Sequence, residues 1–98
     1  MASVYILYSK NADRYYIGSC KELEERLHQH REKIFDGFTA DMDDWELYYS
    51  INELNYQEAR AIEAHIKKMK SRKYLENLRI YPDITHKLIH KYRTGSSR

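Results

Sequence analysis

Apolar side chains along the chain fall into short blocks with two different periods. Residues 3 to 9, Ser-Val-Tyr-Ile-Leu-Tyr-Ser, are β-branched and aromatic and predict a first strand. Lys10-Asn11-Ala12-Asp13 supplies turn chemistry, because Asn and Asp tolerate tight backbone geometry. Arg14 to Ser19 predicts a second strand, so the two form an antiparallel hairpin. Gly18 stands at its far end, where a missing Cβ lets another backbone or a ligand approach. Tyr5 and Tyr16 then lie on neighbouring strands, and the register decides whether they share a face.

From Lys21 to about Lys33 the spacing becomes helical, with Leu23, Leu27 and Ile34 as the apolar stripe and Ser19 or Cys20 at the start. At ~100° per residue, Arg26 lies roughly 60° and His30 about 20° from Leu23, so both border that stripe. Glu24, Glu25 and Glu32 point away from it. Phe35 to Asp44 reads as a loop with Gly37, Thr39 and the acids Asp41, Asp43 and Asp44. Trp45 to Ile51 returns to strand character. Asn55 with Glu58 makes a capping-box-like start to a second helix, whose stripe is Ala59, Ile62, Ile66 and Met69. Ser71 is the expected N-cap of a third helix through Leu75 and Leu78 that stops before Pro82. Ile84, Leu88 and Tyr92 suggest a short fourth helix, and Thr94 to Arg98 a frayed tail. Three antiparallel strands cannot bury themselves alone. The expectation is an α+β domain over residues 1–93, a three-stranded antiparallel sheet flanked by three or four helices, with residues 94–98 as a disordered tail.

Composition narrows the picture. Ninety-eight residues fit one domain, and 33% charged residues put a heavily charged surface around a small core. Ten tyrosines suit a small sheet with a polar face. A net charge of +2 leaves the question of a nucleic-acid partner to local charge distribution. One cysteine, Cys20, gives neither an internal disulfide nor a zinc set, which fits a reducing compartment. The first residues lack a basic region followed by an apolar run, and no stretch approaches a membrane span, so a cytoplasmic location is expected.

Five side chains are candidates for chemistry. Glu63 edges the buried face of the second helix, where a carboxylate is costly unless paired or bound to a cation. Its plain alternative is an i,i+4 ion pair with Lys67. Arg26 has a plain partner in Glu22, yet its forked donors also suit a phosphate. His30 is either a proton acceptor or a satisfied structural group. A tyrosine, with an ordinary pKa near ~10, serves as a base only with positive charge or a metal-bound hydroxide nearby. The run Lys67, Lys68, Lys70, Arg72, Lys73 and Arg79, with Tyr74 inside it, is either a solvated helical face or a phosphate-contact surface.

Taken together these segments resemble the GIY-YIG nuclease family. Ser3-Val4-Tyr5 stands where the family has Gly-Ile-Tyr, and Tyr16-Ile17-Gly18 matches Tyr-Ile-Gly. Glu24-Glu25-Arg26-Leu27-His28-Gln29-His30 is similar to the helix carrying the family's arginine and following histidine. Glu58-Ala59, Glu63 and Lys70-Ser71-Arg72-Lys73-Tyr74 look like the distal part of small bacterial stand-alone members. The likeness covers residues 3 to about 80. It implies a single divalent cation, Mg²⁺ or Mn²⁺, held chiefly by Glu63, and hydrolysis of a nucleic-acid phosphodiester. Arg26 would hold the scissile phosphate. Tyr5 and Tyr16 would position or deprotonate the attacking water with help from His30, Tyr5 being favoured as base. Lys67, Lys70, Arg72 and Lys73 would contact the substrate.

Three departures from the family pattern stand out. Ser3 replaces the first glycine. Ser19 stands where some relatives, such as the incision subunit of bacterial excision repair, place a lysine, and Lys21 is the available substitute. Ala40 follows Thr39 where a basic residue is expected. The leading expectation is a metal-dependent endonuclease acting on DNA, structure-selective and linked to repair or recombination, with a protein partner or a distorted substrate supplying specificity. The alternatives are a weakly active or non-catalytic nucleic-acid-binding module of the same fold, and a protein-interaction domain with the tyrosines as contacts.

Overall fold

A computed structural model describes residues 1–31 and 45–93; the expected loop over 35–44, Ile34, the tail 94–98 and the side chains of His30 and Arg31 lie outside the described residues. The elements run β1 (Ala2–Ser9), β2 (Arg14–Cys20), α1 (Leu23–Arg31), β3 (Trp45–Leu54), α2 (Tyr56–Met69), α3 (Arg72–Ile80) and α4 (Pro82–Tyr92). The three strands form one sheet in the order β2-β1-β3, antiparallel throughout, which makes an α+β fold.

β1 is the central strand and is buried along almost its whole length. Its alternating side chains serve two cores, because successive residues of a strand point to opposite faces. Ala2, Val4 and Ile6 pack with Ile51, Leu54 and the helical residues Ala59, Ile62, Ile66, Leu75, Leu78 and Leu88. Tyr5 and Leu7 pack with Cys20 in a smaller cluster closed by Tyr16, Leu23, Leu27 and Trp45. The larger core therefore lies under α2, α3 and α4, and the smaller one under α1.

Local chemistry explains the boundaries. α1 begins at Leu23 rather than at Ser19 or Cys20; both of those belong to β2, where Cys20 pairs with Ser3 and Ser19 with Val4. β3 runs on to Leu54 because register shifts against β1 bring Leu54 opposite Ala2, with Glu53 in the left-handed region at φ 61°. Asn55 Oδ1 accepts from the Glu58 amide at 2.8 Å and Glu58 Oε1 from the Asn55 amide at 2.9 Å, a complete capping box at the head of α2. Met69 leaves the expected stripe and is 45% exposed in the last turn of α2. Ser71 caps α3 by accepting from the Tyr74 amide at 3.1 Å. Pro82 both ends α3 and opens α4, where a missing N–H costs nothing.

Candidate active site

The hairpin and α1 bring Tyr5, Tyr16 and Arg26 to one place. Tyr5 lies directly opposite Gly18 in the β1–β2 ladder. A Cβ at Gly18 would sit 2.6 Å from both Cζ and the hydroxyl of Tyr5, so the phenol ring lies over the space that a side chain would fill. Here a glycine is required by close approach, not by backbone angles. Tyr16, one turn of the pleat away on the same face, stacks against Tyr5 with ring centroids 6.2 Å apart and an interplanar angle of 28°. α1 then crosses this face and aims Arg26, whose guanidinium donates to the Tyr5 hydroxyl.

The two phenols have different surroundings. Tyr5 is only 1% exposed, and burial, reinforced by the nearby Tyr16, pushes its pKa above the ordinary phenol value; Arg26 opposes the shift but does not reverse it. The Tyr5 phenol is thus held toward its protonated form. Tyr16 is half-buried at the rim of the same cluster. Burial also pushes the Cys20 thiol up, leaving it a packing residue of the small core.

Glu63 enters from the other face. The capping box fixes the head of α2, and Ala59, Ile62 and Ile66 seat the helix on the sheet. Glu63 then reaches the edge strand, where the Ser19 hydroxyl donates to Oε1. Lys67 Nζ lies 2.7 Å from Oε2, the i,i+4 pair anticipated from the spacing. The carboxylate side chain is 15% exposed and its lysine 55%. Ser19 follows Gly18 directly, so the two groups, Tyr5–Tyr16–Arg26 and Glu63–Ser19–Lys67, flank the same edge strand β2 on opposite faces. The sequence marks Ser19 as a strand end, a helix start or a lost lysine, and not as a partner of Glu63. Its partner stands 44 residues away, a relation that no local pattern displays.

The basic run divides by role. Arg72 Nη1 donates to both carboxylate oxygens of Asp13 at 2.9 and 3.0 Å, and Nη2 to the Asp13 carbonyl at 2.7 Å. Its guanidinium also lies 5.3 Å from the Tyr15 ring, while that of Arg79 lies 4.7 Å from Tyr48. Tyr8, Tyr15 and Tyr48 form a ring cluster across the sheet, with centroid separations of 4.8 Å (Tyr8–Tyr15) and 5.1 Å (Tyr15–Tyr48). Arg72 and Arg79 thus brace the sheet from α3. Lys67, Lys70 and Arg72 line one cavity of about 230 Å³ beside β2, and Lys73 is exposed in the same first turn of α3 as Arg72. Lys70 holds the left-handed C-cap of α2 at φ 48°.

His30 lies on α1, one turn beyond Arg26, and its side chain is outside the described residues. Among the described residues, no group of three or more His, Cys, Asp or Glu side chains gathers for a metal, and no helix is long and apolar enough to cross a membrane. The family model described as the GIY-YIG catalytic domain matches residues 1–76, most of the chain. A search of curated proteins and a search of solved structures each give no significant match.

Proposed function

Because the chain belongs to the GIY-YIG family, whose catalytic domain has a nuclease-type fold, we propose that it is an endonuclease that hydrolyses DNA phosphodiester bonds with one divalent cation. The observation that carries this reading is the stacked pair Tyr5 and Tyr16 with Arg26 donating to Tyr5, beside an edge strand whose far face holds Glu63. The cation would be held at Glu63, a largely buried carboxylate where Lys67 Nζ, 2.7 Å from one oxygen, stands in for positive charge and gives way to the ion. A lone carboxylate also suits a hard ion such as Mg²⁺ or Mn²⁺, which keeps several waters. When bound, it would supply Lewis acidity to the leaving oxygen.

The remaining work falls to the chain's own groups. Arg26 has five N–H donors, so it can hold Tyr5 and still present a fork to a non-bridging phosphate oxygen. Charge grows on that oxygen as water attacks, and a donor fixed in advance stabilises it without reorganisation. Tyr5, protonated and locked over Gly18, positions Arg26 and Tyr16. Tyr16, the more accessible phenol, relays the proton of the attacking water, passing its own hydroxyl proton to His30 as it accepts the water's. Lys67, Lys70 and Lys73 take the backbone on either side, which adds a sequence-independent, salt-sensitive affinity. A role in DNA repair or recombination follows from this chemistry only as an expectation.

The test is cleavage of a labelled panel of duplex, single-stranded, flapped and branched DNA in Mg²⁺ or Mn²⁺. Glu63→Ala is expected to lower cleavage by roughly 100-fold or more while the fold persists by circular dichroism. Undiminished cutting by that variant would remove Glu63 from the site. One observation favours a second reading, a nucleic-acid-binding module without turnover: Ser19 and Lys67 already engage both oxygens of Glu63. Salt-dependent DNA binding without metal-dependent cutting of any substrate would select it.

A further inference from the structure

We propose that the cavity between α1 and the head of α2 is a subsite for one unpaired nucleotide next to the cleaved phosphate, and that Tyr56 is the platform on which its base stacks. The proposal rests on the endonuclease reading above and gives it a substrate class: DNA with a displaced or flapped strand in preference to intact duplex.

The cavity encloses about 270 Å³ and shares Arg26 with the site already described. Tyr56 lines it as the first residue of α2, 39% exposed, at a position that the capping box holds rigid. Two cations attend the ring, Lys21 Nζ at 5.2 Å and Arg60 Cζ at 5.7 Å from its centroid. An exposed aromatic ring flanked by lysine and arginine is the arrangement that binds single strands: the ring stacks a base and the cations meet its phosphates. A fixed ring loses little freedom on binding, which favours it as a platform.

The other wall explains why a nucleotide fits better than a bare phosphate chain. Glu25 and Gln29 stand one turn apart on α1 and both line the cavity, with Glu22 beside them. Carboxylates repel phosphates but accept hydrogen bonds from exocyclic amino groups of bases. Arg26 stands among these acids on the same wall, so that wall offers both a cation for an anionic phosphate and acceptors for a donor-bearing base edge. Adenine, cytosine and guanine carry such an amino group and thymine does not. In a duplex both faces of the base are already stacked, so only an unpaired base can use Tyr56.

The experiment is fluorescence anisotropy without metal on a flapped DNA whose unpaired nucleotide at the branch is varied, including an abasic position, beside an intact duplex. Tyr56→Ala is expected to weaken binding of the flapped DNA by roughly 5- to 150-fold, the range for loss of one stacked base. Tyr56→Phe should bind nearly as wild type, and neither change should alter duplex binding. The abasic substrate should weaken wild type but not Tyr56→Ala, and Glu25→Gln should narrow the gap between thymine and the other bases. Equal weakening of flap and duplex by Tyr56→Ala, or none at all, would overturn the subsite. Cleavage in Mg²⁺ separates the two readings. Selective loss of flap binding with no cutting by wild type keeps the subsite and overturns the endonuclease. Cutting with no base dependence does the reverse.

Discussion

Gly18 and Tyr5 face one another across β1 and β2 so closely that neither can change alone. Gly18→Ala places a methyl group 2.6 Å from the phenol, and the only relief is to move the ring or the strands. Overpacking of this kind costs about 1–3 kcal/mol, and chemical denaturation should show it. Tyr5→Leu in the same chain removes the obstruction, so the double variant should recover part of the stability while staying inactive. Additive losses would show that the contact is not what makes Gly18 necessary. The Tyr16-Ile17-Gly18 segment was legible because strand pattern and glycine placement coincide there. The different burial of Tyr5 and Tyr16 was not, because the two share a face and differ only in how far they lie from solvent. Burial of that sort is set by α1 and by Trp45, which arrive later in the chain.

At the scale of elements, α2 carries Glu63, Lys67 and Tyr56 on a frame fixed at both ends. Its head was readable from Asn55 and Glu58, since a capping box is a local device. Asn55→Ala should lower stability by about 1 kcal/mol, and flap binding should fall with it as Tyr56 loses its fixed position. The tail of α2 was not readable, because no pattern singles out Lys70 as its left-handed C-cap. A lysine is disfavoured there relative to glycine. Lys70→Gly is therefore expected to raise the melting temperature while weakening DNA binding, a pairing of opposite effects checked by thermal unfolding beside anisotropy. Loss of both would mean that the lysine stabilises the cap through its side chain. Arg72 ties α3 to the hairpin turn at Asp13. The Tyr8 hydroxyl and the Arg72 guanidinium hold the Asp13 carboxyl below the ordinary carboxylate range. Its folded pKa being the lower one, this contribution is present above about pH 4 and is lost as pH falls through the folded value. Amide exchange in the β1–β2 turn should accelerate over that acid range in wild type but not in Arg72→Ala.

For the molecule as a whole, charge is arranged by place more than by sum. A net charge of +2 conceals exposed lysines at 68, 70 and 73 along one stretch. Removing Lys70 or Lys73 should lower the slope of log affinity against log salt by about one each, and an unchanged slope would take them off the phosphate path. On the far side of α2, His65 Nδ1 lies 2.8 Å from the Tyr92 hydroxyl, and burial with Lys91 and Lys68 nearby lowers its pKa. Protonation then favours the unfolded chain, so stability should drop as pH falls from about 6.5 toward the lower folded value. His65→Gln should flatten that part of the profile. The fold class was legible throughout, since three strand blocks and the helical stripes are each local. The strand order was not, and it has a consequence for synthesis. Of the three described strands, β1 precedes the others in synthesis yet lies in the middle of the sheet, and β3 follows them both. A nascent chain can close the β1–β2 hairpin at once, yet one edge of its most apolar strand must wait for β3 with open hydrogen-bonding groups. Chains halted before Trp45 are expected to aggregate or bind chaperones, and chains extended beyond α2 to resist protease, which pulse proteolysis of stalled chains would show.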